Sequence, residues 1–258
     1  ANASEPARTA SADEAAKPLT VAFDKSLDLD LINISDLKHP DKKATVPAVR
    51  EAVFSGRMKL DGPTLQFAAN QLDVRIANTR NPAAPQALEH LLATGDVVVH
   101  SFRNAAAPSA KPAQPDGITA QRFELQTTPG ADGVPVPSRM LADGDVTAWN
   151  YRPYKTGETG AAGKAEPDKP ERKQTVYAPH IAAALSPKPR TDTGASPASK
   201  TTSLALGDFQ ASHFQATGGV RIELENYAKR LIIATASTFD ATPPTNQAVL
   251  NGAPNAPA

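Results

Sequence analysis

The side chains able to do acid–base or metal chemistry are few and scattered along this chain. The five histidines, His39, His90, His100, His180 and His213, include no pair at the close helical spacing of a zinc motif. Cysteine is absent, which removes disulfides, thiolate zinc sites and cysteine nucleophiles together. Asp28 and Asp30 stand two apart, so on a strand they share one face. A hydrolase could use such a carboxylate pair, but a polar outer face places them the same way. Asp143-Gly144-Asp145 reads as a turn with too few oxygen ligands for a calcium loop. No nucleophile-elbow phrase and no phosphate-cradling glycine loop occurs. These observations predict no catalytic residues, no metal site and no cofactor, hence a protein that is not an enzyme.

Composition narrows the class further. Lys plus Arg and Asp plus Glu both number 27, for a net charge of zero, and no local basic cluster stands out. A nucleic-acid footprint needs excess positive charge on one face, so nucleic acid is not an expected partner. Apolar residues make up 40% of the chain, enough for a core. No run approaches the roughly 18 apolar residues of a membrane-spanning helix. Ala1 to Lys17 is rich in Ala, Ser, Glu and Asp and begins without Met. That pattern fits a mature terminus left by signal-peptide cleavage, so the expected location is the periplasm.

The elements that would position any site are strands. Leu27, Leu29 and Leu31 alternate with Asp28 and Asp30, and Leu72, Val74 and Ile76 alternate with Asp73 and Arg75. Near the C-terminus Val220, Ile222 and Leu224 alternate with Arg221, Glu223 and Glu225, and Leu231 to Thr238 returns as a strand. Between such runs a phrase recurs: Ala93-Thr94-Gly95-Asp96-Val97, Ala142-Asp143-Gly144-Asp145-Val146 and Ala216-Thr217-Gly218-Gly219-Val220. A repeated turn-plus-strand unit signals a stacked or rolled β architecture. In a rolled sheet the chain must bend at the same edge on each pass, and glycine tolerates the positive φ of a turn or bulge there. The predicted body spans residues 19–255, behind a disordered tail at 1–18. Pro-rich insertions are expected at about 104–117 and 155–202, since proline removes a ladder donor. The second is expected to be disordered, apart from a short ordered patch at Val176 to Leu185.

These phrases resemble the A-x-G-(N/D)-V signature of the OstA-like family, the periplasmic lipopolysaccharide-transport proteins of LptA and LptC type. Ala234-Thr235-Ala236-Ser237-Thr238-Phe239-Asp240, followed by Leu250-Asn251-Gly252-Ala253-Pro254, is similar to that family's closing phrase. The resemblance covers roughly residues 50–255. It implies an all-β, folded-over antiparallel β-jellyroll whose partly open apolar interior holds lipid acyl chains. It also implies a role in outer-membrane biogenesis, with lipopolysaccharide or a similar amphipathic glycolipid as the cargo. Sheet-edge pairing with other OstA-like proteins, or head-to-tail with copies of itself, would build a transport bridge. The chain departs from the family in the length of its Pro-rich insertions.

The residues on the expected inward face are Leu65, Phe67, Leu72, Val74, Ile76, Val97, Val99, Phe123, Leu125, Val146, Val220, Ile222, Leu224, Leu231 and Ile233. The lipid-binding set is these positions without Leu65. They are mostly aliphatic, which suits acyl chains that need contact area and no directional bonds. The same residues would equally fill a closed sandwich core. A structural or adhesive β-solenoid module at the cell surface, with no lipid trough, is the alternative function. Trp149, the only tryptophan, shares a strand face with Tyr151 and would mark either a trough mouth or ordinary sheet packing.

Overall fold

Period-two alternation becomes strand along almost all of the ordered chain. The computed structural model describes residues 20–35, 45–62, 65–78, 86–102, 114–130, 133–152, 172–187, 209–225, 231–245 and 247–252. The strands are β1 (Thr20–Phe23), β2 (Ser26–Ser35), β3 (Thr45–Asp61), β4 (Leu65–Asn78), β5 (Gln86–Ser101) and β6 (Asp116–Pro129). They continue as β7 (Pro135–Arg152), β8 (Arg172–Pro187), β9 (Phe209–Glu225), β10 (Leu231–Thr242) and β11 (Gln247–Asn251). All eleven belong to one antiparallel sheet, in which β3 to β11 follow sequence order. Strands β1 and β2 lie end to end along the same side of β3. The sheet does not close on itself: β1 and β2 form one edge and β11 the other. The described residues contain no α-helix, only a short 3-10 turn at Pro243–Thr245.

Strands β3 to β9 are 14 to 18 residues long, well beyond the common five or six. Each is long because it serves two layers. The ladder slips at one level in every pair from β3 to β10. At that level Gly56-Arg57, Gly95-Asp96, Gly144-Asp145 and Gly218-Gly219 on the odd strands face single residues on the even ones. Those residues are Asn70, Gln121, Pro179 and Ser237. The extra residue bends the strand, as a β-bulge does. At Gly95 φ is 74° and at Asp96 it is 51°; at Gly144 and Asp145 the values are 79° and 49°. Two successive left-handed residues require glycine first, then a short polar side chain that tolerates that region. A Cβ on Gly95 would also stand 2.7 Å from Asn70 Nδ2.

Aligned across the sheet, these bulges form a crease, and the sheet folds along it. Phe67 pairs with Val99, which pairs with Ile118 on β6, whereas Phe123 lies on β6 beyond the crease. In a flat sheet Phe67 and Phe123 would be about 17 Å apart along the strands and two strand spacings apart across them. Their ring centroids are 6.2 Å apart. Phe23 and Phe54 meet across the same fold at 5.7 Å. One core therefore lies between the two halves of a single sheet.

The recurring phrase is the crease itself. Ala93, Ala142 and Ala216 are each 0% exposed, just before their bulges. Val97, Val146 and Val220, just after, are 1 to 3% exposed. The even strands answer with an alanine and a larger apolar residue three positions on: Ala69 and Leu72, Ala120 and Phe123, Ala178 and Ile181, Ala236 and Phe239. Alanine and valine methyl groups, with Met58 on β3, fill the crease.

Three expectations need correction. The stretch 155–202 is not one insertion, because β8 runs through it as an interior strand with Ala178, Ile181 and Ala183 buried. Pro179 is tolerated because it sits at the crease, where the ladder is already interrupted. Residues 153–171 and 188–208 lie outside the described residues, as do the tail 1–18 and most of the 104–117 stretch, whose Asp116-Gly117 already belong to β6. Leu31 does not share a face with Leu27 and Leu29. A register shift after Asp30 sets Leu31 opposite Val49 and Ile32 opposite the buried Ala48, whereas Leu29 is opposite the buried Ala52.

Replacing Ala93 or Ala142 by Leu forces extra methylenes into the crease. The expected cost is about 1–3 kcal/mol in urea unfolding. Ala184→Leu, on the exposed outer face, is expected to stay within about 0.5 kcal/mol of wild type. Equal effects at the two kinds of position would show that the crease is not tightly packed.

Candidate functional site

The described polar side chains form pairs and small networks across the outer face. His90 Nε2 lies 3.0 Å from Glu124 Oε1, and His180 Nδ1 lies 2.8 Å from Asp143 Oδ1. Arg122 bridges the two carboxylates, with Nη1 donating to Asp143 Oδ2 at 3.1 Å and Nη2 donating to Glu124. His213 Nε2 is 3.7 Å from Asp240 Oδ1, and Gln215 donates to the same oxygen. Asp30 is paired with Arg50, so it is part of an exposed ion pair. Among the described residues no three His, Asp or Glu side chains converge as metal ligands. His39 lies outside the described residues.

Two carboxylates on this face are shifted in opposite directions. The Gln126 amide donates to Glu124 at 2.6 Å and is the largest influence holding its carboxyl below the usual glutamate range. Burial opposes this, and His90 and Arg122 assist it. Asp73 is raised, first by burial and then by the neighbouring Glu51 carboxylate. Its Oδ1 is buried without a hydrogen-bond partner.

The apolar cleft lies elsewhere, at the β9–β11 end of the fold. It encloses about 590 Å³. One wall is Ala148, Val176, Ile222, Leu224 and Ala234, on the half of the sheet that ends at β10. The other is Ala211, Phe214, Phe239, Ala241 and Leu250, on the half that continues to β11. Phe214 and Phe239 pack edge to face with centroids 5.9 Å apart. Because β11 pairs only with Thr238–Thr242, the half that carries it extends one strand further, and Leu250 remains 45% exposed. Trp149, Asn150, Gln174 and Gln247 border the cleft, and among the described residues no lining side chain is ionisable. Trp149 is held in place: its ring lies over Gly117, its Nε1 donates to Pro115 O at 3.1 Å, and Lys173 Nζ stands 5.7 Å from the ring.

The expected lipid-facing residues therefore divide. Ile222 and Leu224 line the cleft. Phe67, Leu72, Val97, Val99, Phe123, Leu125, Val146 and Val220 are 5% exposed or less and pack in the core. Val74 packs against that core, and Ile76 is half-buried on β4. Leu231 and Ile233 stand on the outer face, 54% and 51% exposed. Ile233 is opposite Glu223, so the inward positions of β10 are Ile232, Ala234 and Ala236. Sequence reasoning missed the wall made by Phe214, Phe239 and Ala241. The available signal was the pairs Phe214/Ala216 and Phe239/Ala241 at period two.

A lowered carboxyl pKa contributes stability that is complete above the unfolded-state value and lost as pH falls through the folded-state value. Glu124→Gln is therefore expected to flatten the acid limb of a plot of urea midpoint against pH below about 4.5. An unchanged acid limb would remove Glu124 as its cause. Asp73 acts with the opposite sign, because its raised folded-state value favours folding as pH falls. Compared with known proteins, the chain matches no family model, no curated relative and no solved structure.

Proposed function

We propose that the protein is a periplasmic lipid carrier built as an OstA-like jellyroll. It binds acyl chains of lipopolysaccharide or a similar amphipathic glycolipid and passes them toward the outer membrane. The observation that carries this reading is the cleft at the β9–β11 end, apolar on both walls and with no ionisable side chain among the described residues that line it. Burying alkyl chain there gains about 25 cal/mol per Å² without desolvating any charge. The aligned bulges, which coincide with the A-x-G-x-V phrases, support the same reading.

The distribution of exposed apolar side chains supports the bridging part of the proposal. Val21, Phe23, Leu29, Leu31 and Val46 lie at one end of the sheet, on β1 to β3. Leu231, Ile232, Ile233, Val249 and Leu250 lie at the other, on β10 and β11. Unprotected apolar edges invite strand addition, which is a liability in a monomer and an interface in a stack. A closed structural module is favoured by the opposite observation, the packed core between β4 and β8.

Two measurements separate these readings. A photoreactive residue at Ile222 or Leu224 is expected to crosslink purified lipopolysaccharide, while the same residue at outward Arg221 is not. A folded protein without crosslinks at either cleft position would favour the closed module. In sedimentation equilibrium the wild type is expected to self-associate with concentration, and Ile232→Lys with Val249→Lys to shift it toward monomer. Association unchanged by the two lysines would exclude these edges as the interface.

A further inference from the structure

We infer that the cleft is blind. Acyl chains enter and leave only at the β10–β11 end, one or two at a time, and an uncharged, hydroxyl- or amide-bearing part of the amphiphile rests at the lip. This rests on the lipid-carrier reading but not on its bridging part, since chains could not run through a stack of copies with blind clefts, and it adds direction, capacity and headgroup chemistry.

Three observations carry the inference. The first is the floor. Behind the cleft Ile181 and Ala216 have 2% and 0% of their surface exposed and belong to the packed core. Side chains so fully covered leave no room there for an alkyl chain to pass. Further along, Phe67 and Phe123 meet across the fold, and Phe23 and Phe54 meet near the β1 edge. A chain running on toward β3 would have to part both ring contacts. The second is size. A volume of about 590 Å³ falls within the roughly 300–1,000 Å³ that holds one drug-sized ligand. That is room for one or two alkyl chains and too little for a many-chained lipid anchor taken whole. The third is the lip. Its polar groups are the amides of Asn150, Gln174 and Gln247, because the Trp149 indole N–H is already donated to Pro115 O. Neutral amides match sugar hydroxyls or amide linkages and carry no counter-charge themselves, and the Lys173 ammonium beside the lip stands over the Trp149 ring, 5.7 Å from its centroid.

Trp149 supplies an internal reporter, being the only tryptophan and standing at the lip. The test titrates the full chain with dodecyl maltoside below its micelle concentration and follows Trp149 emission. The same maltoside is then crosslinked to protein carrying a photoreactive residue at Leu250, at the mouth, or at Leu60, on the inward face of β3. The expected result is a saturable emission change, crosslinks at Leu250 and none at Leu60. Laurate, with the same chain length and a charged head, is expected to bind at least about ten-fold more weakly. Leu250→Glu is expected to weaken maltoside binding by a similar factor while leaving the urea midpoint unchanged, because a carboxylate beside an alkyl chain loses hydration. Crosslinks at both positions would make the cleft a through-conduit and overturn the blind floor, with the lipid-carrier reading left standing. Laurate binding as tightly as maltoside would overturn the neutral lip. Absence of emission change and of crosslinks with either probe would remove the lipid-carrier reading itself, and this inference with it.

Discussion

Everything in this molecule depends on a line of backbone that cannot be regular. A single sheet becomes two facing layers only if every long strand bends at the same level, and a bend needs an extra residue in a conformation that L side chains resist. The protein meets that constraint on alternate strands, with glycine leading each bulge and aspartate, glycine or, on β3, arginine following. The even strands stay simpler and only have to avoid the space opposite. Because each of β3 to β10 crosses the crease once, both layers share these strands. Packing then follows: alanine and valine at the crease, phenylalanine where the layers diverge.

The divergence explains why one fold contains both a sealed interior and a cleft. From β4 to β8 both layers are complete and carry large side chains such as Phe67, Phe123 and Leu125, which fill the wedge. Toward β11 one layer ends a strand earlier than the other, and small residues such as Ala211, Ala234 and Ala241 leave the wedge unfilled. The cleft thus results from unequal layer width combined with alanine. The outer face shows the complementary economy of charge, with carboxylates, histidines and arginines interleaved across neighbouring strands so that few buried polar atoms lack a partner.

Much of this was legible in the residues. Alternation located Leu72 to Ile76 and Val220 to Leu224, and the repeated Ala-x-Gly-x-Val phrase marked where the chain bends. The phrase did not reveal that the bend falls in mid-strand rather than at a sheet edge, because a glycine before an alternating run looks the same in both settings. β8 was legible only as a short ordered patch at Val176 to Leu185, because Pro179 argues against a strand unless one knows that its neighbours have no ladder bond to offer there. On β10 the large residues Leu231 and Ile233 suggested the wrong parity. The inward positions are filled mainly by Ala234 and Ala236, whose small side chains give almost no hydrophobic signal. The cleft itself was invisible for the same reason, since it is made by what alanine does not fill.

The crease also sets how such a molecule can grow. Its repeating element is one bulged strand and one plain strand, and the cross-section depends only on where the bulge lies within the pair. Duplicating a pair would lengthen the body by about 10 Å, two strand spacings, without altering its profile. Length and cross-section are therefore independent variables, as in an extruded channel cut to measure. The terminal strands, which decide whether an end is flush or stepped, can change without disturbing the span between them.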